Sequence, residues 1–160
     1  MNYKLVEMTD GVKVKVFPPP TIQIEALLNK KYPTPDPPTV TDKTASGKEV
    51  TMSIDDDPTY LAKVKEIDEA RQAEREDLHY LFALRDVVPP DDFDVDLLMG
   101  EEIRYMNPDW KPRQGKTGRK LDYIEWVVMG DMVNATRIGQ ALSELISVNL
   151  EVVAQVEKSF

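Results

Sequence analysis

Gly115-Lys116-Thr117 is the first place where this sequence invites a ligand, because a phosphate-binding loop ends in that triplet. Such a loop needs a glycine five positions earlier so that the backbone can curl round the phosphate. That position is Trp110, and Pro112 removes one of the amide donors. The triplet reads better as part of a solvated basic loop. Asp92, Asp94 and Asp96 alternate like the opening of a calcium loop, yet the sixth position is Leu97 instead of glycine and the twelfth is Ile103 instead of glutamate. Carboxylates gathered at a helix start explain the trio more simply. His79 is the only histidine and there is no cysteine, so thiolate metal sites, disulfides, thiol nucleophiles and a Ser-His-Asp triad all lose their parts. Glu76 and Asp86, the acidic neighbours of His79 at helical spacing, supply no ligand set, so it reads as a surface or boundary residue. Paired carboxylates such as Glu101-Glu102 are plentiful, and none is singled out by an apolar pocket signature. The chemistry on offer is therefore non-enzymatic, with no catalytic residue, no metal site and no cofactor.

Binding is better supplied. Trp110 lies in a basic, proline-containing loop with Lys111, Arg113 and Lys116. Tryptophan and arginine are enriched at the centres of protein interfaces. Trp110 is either tucked beneath the loop as an anchor or presented to a partner. The same choice applies to two proline segments, Phe17-Pro18-Pro19-Pro20 and Tyr32-Pro33-Thr34-Pro35-Asp36-Pro37-Pro38. Rigid extended segments lose little entropy on docking, so Phe17 to Pro20 and Tyr32, Pro33, Pro35, Pro37 and Pro38 either lie in a partner's groove or strap the chain's own surface.

The elements that must carry these residues fit a chain of 160 residues, long enough to bury a core without metal or disulfide. Hydrophobic residues are 41% and charged residues 31%, ordinary for a globular protein. No run approaches the ~20 apolar residues of a membrane span. Lys4, Glu7, Asp10 and Lys13 interrupt the start, so it does not read as a signal peptide. The net charge of −9 opposes general nucleic-acid binding. Its distribution is uneven. From Asn107 to Lys120, five basic residues face one acidic residue, a local +4, and from Arg85 to Glu102 seven acidic residues face one basic residue, a local −6. Such segments are able to pair between successive copies.

The period-2 pattern of Val12, Val14 and Val16, with Asp10-Gly11 as turn, predicts a hairpin over 3–17. A short helix follows over 22–31, then the extended proline stretch, then a second hairpin of 39–43 and 48–54 around Ser46-Gly47. Asp57 is placed to cap a long helix from Pro58 to about Arg85. Its centre, DEARQAERED, offers only Ala70 and Ala73 to bury, so it either crosses solvent or lies in another chain's groove. Asp91 or Asp92 is expected to cap a shorter helix to about Tyr105, followed by a loop over 107–118. Helices are expected over 119–129, 132–146 and 150–158, with breaks at Gly130-Asp131 and Val148-Asn149 and caps at Asp131 and Asn149. The expected fold is a single α+β domain over 1–160: hairpins and proline-rich arm in 1–57, long charged helix and short helix in 58–106, basic loop in 107–118, helical cluster in 119–160.

The order of these features resembles small proteins encoded in the tail-morphogenesis region of long-tailed bacteriophages, the tail assembly chaperones and related virion proteins. The resemblance is carried by Phe17-Pro18-Pro19-Pro20 before a short helix, Tyr32-Pro33-x-Pro35-x-Pro37-Pro38, Asp57-Pro58-x-Tyr60, Val88-Pro89-Pro90-Asp91, Arg119-Lys120-x-x-Tyr123-Ile124 and the terminal Glu157-Lys158-Ser159-Phe160. It spans most of the chain, and none of its parts is a catalytic signature. It implies a cofactor-free protein of the host cytoplasm that covers the tape-measure protein and recruits tail-tube subunits, in multiple copies or as a homo-oligomer. The competing expectation is a permanent virion component, in the neck, connector, tail or capsid decoration, contacting neighbouring virion subunits. A third is a small phage-encoded regulator or enzyme.

Overall fold

The computed structural model describes the backbone of residues 2–158 and the side chains of 2–147, 155 and 158. The fold is α+β, with two antiparallel hairpins in the N-terminal part followed mainly by helices. Residues 21–78 form one compact unit, and 2–20 together with 79–158 form the other.

In the larger unit, β1 (Lys4–Glu7) pairs with β2 (Lys13–Val16). Gly11 turns the chain at φ 84°, a left-handed conformation that favours glycine, and Asp10 accepts a hydrogen bond from the Val12 amide at 3.0 Å. The register Val6↔Val14 and Lys4↔Val16 puts the valines on one face, where Val6 and Val16 are buried. That face packs on α5 (Met132–Lys158), whose Ile138, Ala141 and Leu145 recur at helical spacing and complete a core with Leu84, Ile124 and Val128. Asp131 caps α5 as expected, accepting from the amides of Val133 (2.9 Å) and Asn134 (3.1 Å). The cap is tied to the hairpin, because the Thr9 hydroxyl donates to Asp131 and the Thr9 amide donates to Asn134 Oδ1 at 2.9 Å. These bonds to the carboxylate hold Asp131 below the usual aspartate range, the Asn134 amide contributing most.

The smaller unit contains α1 (Thr21–Lys31), the second hairpin of β3 (Thr39–Lys43) and β4 (Glu49–Ser53), and α2 (Pro58–Ala83) as far as residue 78. Asp57 caps α2 by accepting from the Tyr60 amide at 2.9 Å. Every residue of β3 and β4 is exposed.

Four expectations need correction. The centre of α2 is not bare to solvent all round: α1 and Tyr32 meet it through Arg71, Glu74 and Arg75, while Asp68, Glu69, Gln72, Ala73 and Glu76 stay exposed. Arg75 donates to Glu25 at 2.6 Å, Lys31 and Tyr32 donate to Glu74 at 2.7 and 2.5 Å, and Arg71 donates to the Tyr32 carbonyl. The helix is met by polar groups, which a count of apolar residues does not see. The cap of α3 (Val95–Met106) is Asp94, accepting from Asp96 and Leu97 amides, and not Asp91 or Asp92. Residues 90–93 are instead held in a turn, because Arg119 donates to the carbonyls of Pro90, Asp91 and Phe93. Residues 115–118 are not loop but the start of α4 (Gly115–Tyr123), although two glycines are poor helix formers. A tertiary contact overrides propensity here: buried Asp122 accepts from the Arg113 amide at 2.9 Å and its guanidinium at 2.8 Å, drawing the incoming loop against the helix. A Cβ at Gly118 would stand 2.9 Å from the Arg113 carbonyl carbon, so the approach requires glycine. Finally, α5 runs through Val148 and Asn149 without a break. Neither residue is a glycine or proline, and their propensities are only moderately unfavourable. Of the terminal motif, Ser159 and Phe160 lie outside the described residues.

Candidate protein-docking face

A π-helical turn, Ile124–Val128, follows α4 and ends in the Met129 amide donating to the Ile124 carbonyl at 2.7 Å. Such turns insert an extra residue and re-aim the side chains around them. Gly130 is required beneath it, since a Cβ there would lie 2.3 Å from the Trp126 carbonyl oxygen. Ile124 and Val128 point into the core, while Trp126 and Val127 are half-buried.

Trp126 receives the loop tryptophan. Trp110 meets it edge to face, with centroids 6.2 Å apart, and Arg104 stacks over the Trp110 ring at 5.5 Å. Trp110 is therefore an anchor for its loop, partly covered by its own chain. Arg113 is likewise committed, bonding Asp122 and Glu125 at 2.8 and 2.6 Å. Arg119 is spent on the carbonyls of the 90–93 turn, and Lys120 donates to the Arg85 carbonyl at 2.6 Å. Burial pushes the Lys120 ammonium below the usual lysine range, against the opposing pull of Asp86. Of the five cations only Lys111 and Lys116 are exposed; Arg119 and Lys120 keep their charge but direct it inward onto carbonyls.

Val127 lines a groove of about 440 Å³ together with Tyr123, Phe93, Pro90, Leu97 and Leu98. The floor is stiffened by the Phe93–Tyr123 edge contact at 5.0 Å and by Arg119 against Phe93. Leu97 is 88% exposed and Leu98 60%, and beyond a kink at Met99 Tyr105 stands 92% exposed. Large apolar side chains so open to water on one short helix mark an interaction surface more than a packing fault. On the other side of Tyr123 and Val127 lies a second depression, about 350 Å³, walled by Val12, Val14, Val87 and Val88. The two share a ridge. Asp92 and Asp94 line the first groove, and their neighbour Asp91 is an exposed carboxylate, as are Glu101 and Glu102 beyond the kink.

The remaining residues expected to bind partners are distributed. Phe17 is buried, with Arg85 stacked over its ring at 3.7 Å, and Pro18, Pro19 and Pro20 are half-buried beside it. Tyr32, Pro35 and Pro37 are half-buried, Pro33 and Pro38 exposed. The Pro35 carbonyl accepts from Tyr60 at 3.2 Å, so this stretch runs as a strap along α2. Residues 17–20 and the basic loop belong to the larger unit, and the 32–38 stretch to the smaller. Leu97, Leu98, Tyr105 and Val127 were missed by sequence reasoning. Their signal was an excess: α3 buries Val95, Gly100 and Ile103, leaving Leu97, Leu98, Tyr105 and Met106 with nothing to cover them.

The motifs set aside earlier have structural employment. Asp94 caps α3 and Asp96 pairs with Arg104 at 2.6 Å. Among the described residues no group of His, Asp and Glu side chains is gathered for a metal, and no helix is long and apolar enough to cross a membrane. No protein-family model matches the chain, and no curated protein or solved structure matches it either.

Proposed function

We propose that this chain is a binding protein of bacteriophage morphogenesis, acting without cofactor in the manner of a tail assembly chaperone. The observation that carries the binding role is the uncovered apolar side of α3 and the π turn, where Leu97, Leu98 and Tyr105 stand in water beside a groove floored by Phe93 and Tyr123. Burying such side chains against a partner is favourable by about 25 cal/mol per Å² of apolar surface. The net charge of −9 keeps such a surface soluble until the partner arrives. The tail-assembly role rests on the order of proline segments, caps and terminal helices set out above.

Quantitative mass spectrometry of assembly intermediates and finished particles tests it. The expected result is enrichment on tape-measure-containing intermediates and loss from the finished particle. A fixed, symmetry-related copy number in the particle would make the chain a permanent virion component instead. Absence from both would overturn the reading.

A further inference from the structure

The partner's chemistry is written in the charges left over around the groove. Pairing the acidic segment of one copy with the basic loop of another would rely on cations that stand clear of their own chain, and few do. Arg113 is paired with Asp122 and Glu125, and Arg119 and Lys120 keep their charge but direct it onto backbone carbonyls of their own unit, so Lys111 and Lys116 are the loop's exposed cations. On the acidic side Asp91, Asp92, Glu101 and Glu102 carry exposed carboxylates, Asp94 keeps its charge while accepting the cap amides of α3, and Asp96 pairs with Arg104. The surplus is negative and borders an apolar groove.

We propose that the groove between α3 and the π turn receives a basic amphipathic segment of another protein, one whose adjacent apolar side chains fill the space lined by Phe93, Leu97, Leu98, Tyr123 and Val127 while flanking lysines or arginines meet Asp92 and its neighbour Asp91. The apolar floor supplies most of the affinity, and the acidic rim selects sign and speeds encounter. Phe93 is held by Arg119 and by the edge of Tyr123, so the floor is formed before the partner arrives and little ordering accompanies binding. This rests on the binding role proposed above and assigns it a surface and a class of ligand.

The test uses the full chain and a fluorescein-labelled synthetic helix of leucine and lysine, with a leucine–glutamate helix as control, read by fluorescence anisotropy. Saturable binding of the lysine helix and none of the glutamate helix is expected. Leu97→Asn with Leu98→Asn, both exposed and remote from the buried core, should weaken it roughly tenfold or more with the charge unchanged. Asp91→Asn with Asp92→Asn should weaken it severalfold and flatten its salt dependence. Equal binding of wild type and the Leu97→Asn/Leu98→Asn variant would overturn the groove, as would light scattering that finds a wild-type dimer abolished by that same variant, since a second copy would then be the occupant. Binding to the lysine helix measured in isolation with no enrichment on assembly intermediates would leave the groove standing and remove the morphogenesis role. The reverse pattern would remove the groove alone.

Discussion

Around Ile124 and Ile138 the contacts are apolar and closed to water. Between α1 and α2 they are ion pairs and hydrogen bonds, Glu25–Arg75, Lys31–Glu74, Tyr32–Glu74 and Arg71 to the Tyr32 carbonyl, flanking the buried Ile24 and Leu28. The first arrangement depends on area removed from water and is nearly indifferent to pH and moderate salt. The second depends on charges at partial exposure, which salt screens and protons remove. One chain therefore contains two units with different sensitivities, and the same solvent change should reach them unequally.

Four measurements press on that difference. The largest effect is expected from Ile138→Ala, which empties a fully buried position of the larger unit and should lower its stability by about 2–5 kcal/mol in urea unfolding. Next is Asp122→Ala. It strips the Arg113 amide of its acceptor and should cost about 1–3 kcal/mol, with a blue-to-red shift in tryptophan emission as Trp110 leaves Trp126. An unchanged spectrum would show the loop to be anchored by the indoles alone. Asp94→Ala, removing a cap at the groove's edge, should cost about 1 kcal/mol by the same unfolding assay.

The smallest and most local effect is reserved for the polar ladder. Glu74→Gln should speed amide exchange in α1 severalfold and leave α5 untouched. Its pH dependence has a definite sign. The Lys31 and Tyr32 hydrogen bonds hold the Glu74 carboxyl below its ordinary value, so its contribution is complete above the unfolded carboxylate range and is lost as pH falls through the folded value. Glu74 raises the Lys31 ammonium and the Tyr32 phenol, so theirs is complete below about pH 10 and is lost on rising above it. Protection of α1 flat across pH 3 to 11, after correction for intrinsic exchange rates, would show that Ile24 and Leu28 hold the helix without the ladder.

Local chemistry was legible in the residues. Asp10-Gly11, Asp57-Pro58 and Asp131 each announce a turn or cap whose partner lies within four residues, and all three form. What stayed hidden depends on partners far along the chain. The expected cap was Asp91 or Asp92, and Arg119, 26 residues beyond Phe93, moves it to Asp94 by holding the preceding turn. Gly115 and Gly118 read as loop because the contact that makes them helical comes through Arg113 and Asp122. The basic loop was countable as charge, but its partners were not, so the exposure of its cations was overstated. The docking face was present in the sequence only as apolar residues in excess of what a short helix buries.

One feature of the connectivity bears on how the protein comes to exist. The first hairpin's lasting neighbours are on the last helix: Thr9 bonds Asn134, 125 positions away, and Lys4 reaches Glu144, 140 positions away. A two-stranded hairpin is marginal by itself. At ordinary rates of synthesis it must wait on the order of ten seconds for that helix to emerge. Meanwhile α1 and α2 need only residues up to 78 and can close first. The nascent chain thus carries Val6 and Val16 without that cover through most of its translation, a window in which a holdase would find it. Pulse-labelled exchange during refolding should show hairpin amides protected last, together with α5; protection of the hairpin before α5 would give it a stability of its own.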